Sequence, residues 1–343
     1  LTRRLVPLLL VVATAVGLAA CGERSEPTGA PKPQQLTLLL DWLPNADHAP
    51  IYAAQATGAF ERAGLDVKIQ TPSDATSPLK LLAAGRADLA ITYEPELLLG
   101  RDKGQRLVSV GALVQRPLSS LISLPHAKIK TPKDLAGKTV GITGLPSDEA
   151  SLRAILATAG VDRKRVKTVD VGFNLVPSLL SKKVDAILGA YWNIEAVELA
   201  REHHKPSVIR VDQAGVPTYN ELVFAARQDY IGERGEVVRR FMQALSRGAE
   251  AMRANPQVAV DALVSANKDL DRDTQLASVR ASLPAFFPAA GKPFGWMDPV
   301  AWNHYGDWMY DSKLLTRPTN GARALTNEFL PGQGLPADDG SAG

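Results

Sequence analysis

A single cysteine, Cys21, occurs in the 343 residues. One thiol cannot staple a fold internally, so no disulfide framework, paired-cysteine metal site or dithiol redox centre is available. The chain has no Gly-x-Ser-x-Gly elbow and no Gly-x-x-x-x-Gly-Lys loop. The local signatures of a serine hydrolase and of a phosphate-binding loop are therefore missing. His203 and His204 are sequence neighbours. Adjacent residues do not share a helix face, so they read as solvated side chains and not as a metal site. No catalytic residue, metal ligand or cofactor site is assigned. Charge is nearly balanced, 39 basic against 36 acidic residues, which leaves no overall footprint for nucleic acid. Beyond residue 20 no apolar stretch is long enough to span a bilayer.

What is present begins with a targeting pattern. Arg3 and Arg4 precede an uncharged apolar run over residues 5–20, the form of a signal peptide (1–20). The run ends Leu18-Ala19-Ala20-Cys21, which resembles a bacterial lipobox. Cys21 is thus the expected lipidation site, and its lipid would hold the chain on the extracytoplasmic face of the cell membrane. Residues 21–35 contain Pro27, Pro31 and Pro33 with little apolar surface to bury, so they read as a tether. Residues 336–343 read as a disordered tail.

Between these ends, short apolar runs alternate with helical periodicity. Runs of strand length occupy 36–40, 65–70, 87–91 and 107–114, and helical spacing covers 51–63 up to Gly64. A second set follows, with strands at 138–142, 166–171, 184–188 and 208–211 and helices between them. This rhythm predicts an α/β protein with mostly parallel sheets covered on both faces. Residues 36–118 and 221–335 are expected to form lobe one, and 119–220 lobe two. Two crossings between the lobes leave a ligand cleft, the favoured place for a small-molecule site.

Three segments at strand ends bring aromatics together with polar groups. Asp41-Trp42-Leu43-Pro44-Asn45-Ala46-Asp47-His48 follows the first strand and offers an indole face with the polar atoms of Asn45 and His48. The ordinary alternative is a Trp packed under a turn with Asn45 or Asp47 capping the next helix. Tyr93-Glu94-Pro95-Glu96 ends a strand in the same manner. Gly189-Ala190-Tyr191-Trp192-Asn193-Ile194-Glu195 also joins a strand to a helix. Tyr191 and Trp192 must point different ways, so at least one faces the cleft. Gly141 to Ser147 makes a fourth such junction, but Asp148 and Glu149 in the first turn favour self-capping over anion binding. Flat heteroaromatic ligands suit such a set: two stacking contacts and two charge-assisted hydrogen bonds sum to about 4–9 kcal/mol. Burial adds to that sum, and the ligand's lost freedom subtracts from it.

At these residues the chain resembles the receptors of ABC importers for thiamine pyrimidine precursors, a family akin to the fungal thiamine pyrimidine synthase. The likeness extends through Ile51-Tyr52-Ala53-Ala54, 58–67, 93–99 and 112–120. It implies a two-lobed type II periplasmic-binding-protein fold, a permease and an ATPase as partners, and a monomer. It also implies that Trp42, Asn45, Tyr93, Tyr191, Trp192 and Glu195 line the site of a formylaminopyrimidine or hydroxymethylpyrimidine; His48, Glu94 and Asn193 complete the candidate set. Riboflavin or another flat ring stays open as the ligand. The synthase needs a cofactor-holding lysine and a cysteine cluster. Thr92 stands at the lysine position, Glu96 at a histidine position where it is expected to face solvent, and Cys21 is the only cysteine. The enzyme reading is therefore rejected.

Overall fold

A computed structural model describes residues 33–333. The expected signal peptide, Cys21, the tether through residue 32 and the tail 336–343 lie outside the described residues. Among the described residues there are ten strands: β1 (Gln34–Leu39), β2 (Leu65–Gln70), β3 (Leu89–Thr92), β4 (Leu107–Val114), β5 (Ser119–Ser123), β6 (Thr139–Ile142), β7 (Lys167–Asp170), β8 (Ala186–Tyr191), β9 (Ser207–Arg210) and β10 (Leu222–Arg227). The longer helices are α1 (Ala49–Ala56), α2 (Ala59–Arg62), α3 (Ser77–Ala83), α4 (Glu94–Asp102), α5 (Pro146–Ala159), α6 (Leu175–Leu180), α7 (Glu195–Arg201), α8 (Gln228–Ala254), α9 (Pro256–Ala266), α10 (Arg272–Phe286) and α11 (Pro299–Asp311). None of the described helices is long and apolar enough to cross a membrane.

The strands form two five-stranded sheets, ordered β2-β1-β3-β10-β4 and β7-β6-β8-β5-β9. In the first, β1, β2 and β3 run parallel and β10 runs against both β3 and β4. In the second, β6, β7 and β8 run parallel and β5 runs against both β8 and β9. The reversed strand in each sheet is the one that arrives directly from the other sheet. It enters from the carboxyl ends of the parallel strands and must therefore run against them. The expectation of mostly parallel sheets needs that correction. β5 carries Ser119, Ser120 and Ser123 among five residues, too little apolar character to stand out as a strand.

The core follows from strand alternation. Leu36 and Leu38, continued by Leu40 just past the strand, bury one face of β1, and Leu39 buries the other, as a sheet covered on both sides requires. β1 starts at Gln34, inside the expected tether, where Gln34 and Gln35 pair with Leu65 and Asp66. The helix expected over 51–63 is two helices. Gly58, at φ 68°, turns the chain between α1 and α2. α8 crosses α1 closely at Gly248, where a Cβ would sit 2.5 Å from the Ala54 Cβ and 2.6 Å from the Pro50 carbonyl oxygen.

Candidate functional site

The carboxyl ends of β1, β3, β6 and β8 meet the residues that lead into β10 around a cavity between the two sheets, the kind of place that small-molecule sites favour. Trp42, Asn45, Tyr93, Tyr191 and Glu195 line it, with Asp41, Thr143, Asp148, Tyr219 and Glu221. Gly189 is also on the wall. Its φ of 86° suits glycine, and a Cβ there would press to 2.8 Å from the Thr143 methyl carbon.

Asp41 fixes one wall. Its Oδ2 accepts from the Tyr93 hydroxyl at 2.9 Å, and Oδ1 lies 2.9 Å from His48 Nε2. The Asn45 backbone N–H donates to His48 Nδ1 at 3.1 Å, which leaves Nε2 as the ring donor to Asp41. Glu221 fixes the opposite wall. Its Oε2 accepts from the backbone N–H groups of Leu118 and Ser119 at 2.6 and 3.0 Å and from the Tyr219 hydroxyl at 3.1 Å. Its Oε1 accepts from the Tyr191 hydroxyl at 3.2 Å. Glu195 Oε2 accepts from the Tyr191 N–H at 2.6 Å, and no other described residue donates to Oε1.

Four carboxyl groups, Asp41, Asp148, Glu195 and Glu221, line the cavity, and no Lys or Arg does. Burial pushes Asp148, Glu195 and Glu221 up to about 7. Near neutrality each can donate or accept a hydrogen bond. Burial also raises the phenols of Tyr93, Tyr191 and Tyr219 well above their ordinary value. The linkage has a definite sign. Between the ordinary carboxyl range and pH 7 the folded chain binds more protons than the unfolded chain, so stability falls as pH rises through 7. Calorimetry of the protein without ligand should give a Tm on the order of 5 °C lower at pH 8 than at pH 5. A flat profile would mean that these carboxyls are solvated.

Four of the nine expected site residues are off the cavity wall. His48 is fully buried behind Asp41. Glu94, 1% exposed, accepts from the Asn220 N–H at 2.7 Å. Asn220 in turn accepts from Trp302 Nε1 and donates to the Gln115 carbonyl, so Glu94 serves the crossings between the sheets; burial raises it to about 8. Trp192 donates from Nε1 to the Pro117 carbonyl at 3.3 Å beneath the Arg210 guanidinium. Successive side chains at a strand end alternate, and Tyr191 takes the cavity side. Asn193 is fully buried and donates to Asp47 Oδ1 at 2.6 Å. Asn45 does reach the wall, but its amide is committed to its own turn, accepting from the Asp47 N–H and donating to the Leu43 carbonyl. Glu96, expected in solvent, is buried and accepts from the Ser147 N–H at 3.0 Å.

Tyr219 and Glu221 were absent from the expected set. They stand at the start of a strand, and a rule that looks only at carboxyl ends passes over them. Contacts across the cleft hold its sides together. Trp42 meets Phe173 edge-on with centroids 4.2 Å apart, and Asn193–Asp47 and Ser147–Glu96 bridge at either side.

The alkanesulfonate-binding protein SsuA from Xanthomonas axonopodis pv. citri, bound to MOPS, matches this architecture with a TM-score of 0.68 at 18% identity, covering 87% of this chain and 99% of that one. The fold is therefore the two-lobed type II fold of periplasmic binding proteins. The formylaminopyrimidine-binding protein of Halalkalibacterium halodurans is 36% identical over 289 residues, 83% of this chain and 87% of that protein. The 4-amino-5-hydroxymethyl-2-methylpyrimidine phosphate synthase of Legionella pneumophila is 26% identical over 305 residues, 87% of this chain and 92% of that one. Residues 45–259, which run from the cavity loop at Asn45 through both crossings, match the NMT1/THI5-like family, and the chain belongs to that family.

Proposed function

We propose that this chain is the extracytoplasmic binding component of an ABC importer and that it captures a thiamine-precursor aminopyrimidine. The observation that carries this is the cavity itself: aromatic faces of Trp42, Tyr93 and Tyr191 around four carboxyl groups, with no cation on the wall. An aminopyrimidine is flat, its amino group donates, and its adjacent ring nitrogen shares a proton readily with a carboxyl group that titrates near 7. Glu195 is the partner of choice, because Oε1 has no other described donor. The name of the Halalkalibacterium relative supports this class of ligand.

In this reading residues 36–118 and 221–335 move against 119–220. The ligand favours the closed arrangement because only then do both lobes touch it. Cys21 carries the lipid that keeps the protein at the membrane, and a permease and ATPase receive the cargo from a monomer. The protein binds and does not convert: Thr92, at the position of the synthase lysine, is buried within β3.

Calorimetric titration with formylaminomethylpyrimidine tests the reading. The expected Kd is about micromolar or tighter. The phosphate ester of hydroxymethylpyrimidine should bind at least about 100-fold more weakly, because like charges facing each other in a buried site cost several kcal/mol. No heat at a hundredfold excess of the pyrimidine, or bound yellow flavin on purification, would overturn it.

A further inference from the structure

The near balance of charge over the whole chain conceals a strong local imbalance. Ten basic and three acidic residues fall in the segments 128–138, 162–167 and 182–185, a net of +7 in a chain whose total is +3. The topology gathers these segments at one place. β6, β7 and β8 are parallel, so their starts share one end of the second sheet, with Thr139 beside Lys167 and Val140 beside Ala186. β5 runs the other way and finishes at that same end, Ser123 opposite Ala186. The cavity lies at the opposite end, where Thr143 and Tyr191 follow β6 and close β8.

Lys128, Lys130 and Lys133 project from the turn that follows β5. Lys164, Arg165 and Lys167 lead into β7, and Lys182 and Lys183 come shortly before β8. All eight are exposed, and none forms an ion pair with a described residue. Lys138 and Arg163 are the paired ones, with Asp185 and Glu149. The acids present are turned to local backbone duties: Asp134 accepts from the N–H groups of Lys130 and Thr131, Asp162 from that of Lys164 and Asp185 from that of Thr139. They hold the turns in shape, and their three charges are already counted in the net of +7.

We propose that this strand-start end of the second sheet is an electrostatic docking surface for a membrane rich in anionic phospholipid. Its composition selects that partner. The free cations are nearly all lysines, hydrated point charges without the fixed fork by which arginine grips one phosphate. The exposed large apolar side chain near this end is Val208 on the edge strand β9, which is aliphatic, so the described residues offer no aromatic stacking platform of the kind that single-stranded nucleic acid uses. Such a surface senses a spread of negative charge and gains from each lysine brought near it. Docked this way, the protein holds its cavity away from the bilayer, open to ligand arriving from outside.

The test is co-sedimentation of the full chain with phosphatidylcholine vesicles and with the same vesicles containing about one-third phosphatidylglycerol. Any lipid anchor or apolar leader contributes alike to both, so their ratio isolates charge. Partition onto the anionic vesicles should exceed that onto neutral ones by about tenfold or more in low salt, and the preference should vanish in high salt. The triple variant Lys164→Glu, Lys167→Glu, Lys182→Glu should lower the preference to about threefold or less, with Tm and pyrimidine titration unchanged. Equal partition of the native protein on both vesicles, or an undiminished preference in the variant, overturns the proposal. Tighter binding to duplex DNA than to anionic vesicles at the same salt would overturn the choice of a lipid partner.

Discussion

Glu221→Ala should lower stability by about 3–5 kcal/mol, because it takes one shared acceptor from four donors at about 1–3 kcal/mol each, less what water recovers. Glu221 is 3% exposed, and four donors converge on its two oxygens. Leu118 ends the first crossing between the sheets and Ser119 opens β5, Tyr219 belongs to the second crossing, and Tyr191 ends β8. One side chain thus ties both crossings to the second sheet. Alanine leaves those donors in a space with few other acceptors, at about 1–3 kcal/mol for each one left unsatisfied, and water recovers part of the loss. Glu221→Gln keeps one oxygen and should cost about half as much. Denaturant titration of both variants checks this, with calorimetry to follow Tm. A loss under about 1 kcal/mol for Glu221→Ala would mean that solvent replaces the carboxyl group freely, and the carboxyl would then not be the pin of the hinge.

The general plan of the molecule could be read from residue spacing because apolar periodicity is a local property. Two blocks of alternating strand and helix follow from residues such as Leu36 and Leu38 on β1, although the buried core runs on from one sheet to the other. The reversed strands could not be read in this way. Nothing in the residues of β10 encodes its direction relative to β3; that depends on where the chain has been before it returns. The same gap hid Glu221, whose place beside the cavity is a consequence of that reversal. Glu94 and Glu96 show a second limit. Both are acids in the first turn of α4, ordinarily a solvated position that the helix dipole favours. Here the crossing at Asn220 covers one and the start of α5 covers the other. Burial by a distant segment leaves no trace in local composition.

The two tryptophans nominated by sequence should separate cleanly by experiment. Trp42 stands on the cavity wall with its edge against Phe173. Trp192 lies behind the wall, fixed between the Pro117 carbonyl and Arg210. Trp42→Ala removes a stacking face and the apolar burial that goes with it, a loss of about 2–3 kcal/mol for a central aromatic anchor, or about 30- to 150-fold in Kd for the pyrimidine. Its Tm should move little, because the indole is only partly buried and the rest of its loop is held by Asp41 and His48. Trp192→Ala should act in the opposite sense. It frees the first crossing, so Tm falls by several degrees, at about 2–4 °C per kcal/mol for a chain of this class. Kd stays within about threefold, because Tyr191 and Glu195 keep their own partners in Glu221 and the Tyr191 N–H. Isothermal titration paired with thermal melts on the two variants reads both axes at once. If Trp192→Ala cost as much affinity as Trp42→Ala, the indole at 192 would have to swing into the cavity when ligand arrives, and the assignment of the wall to Trp42, Tyr93 and Tyr191 would fail.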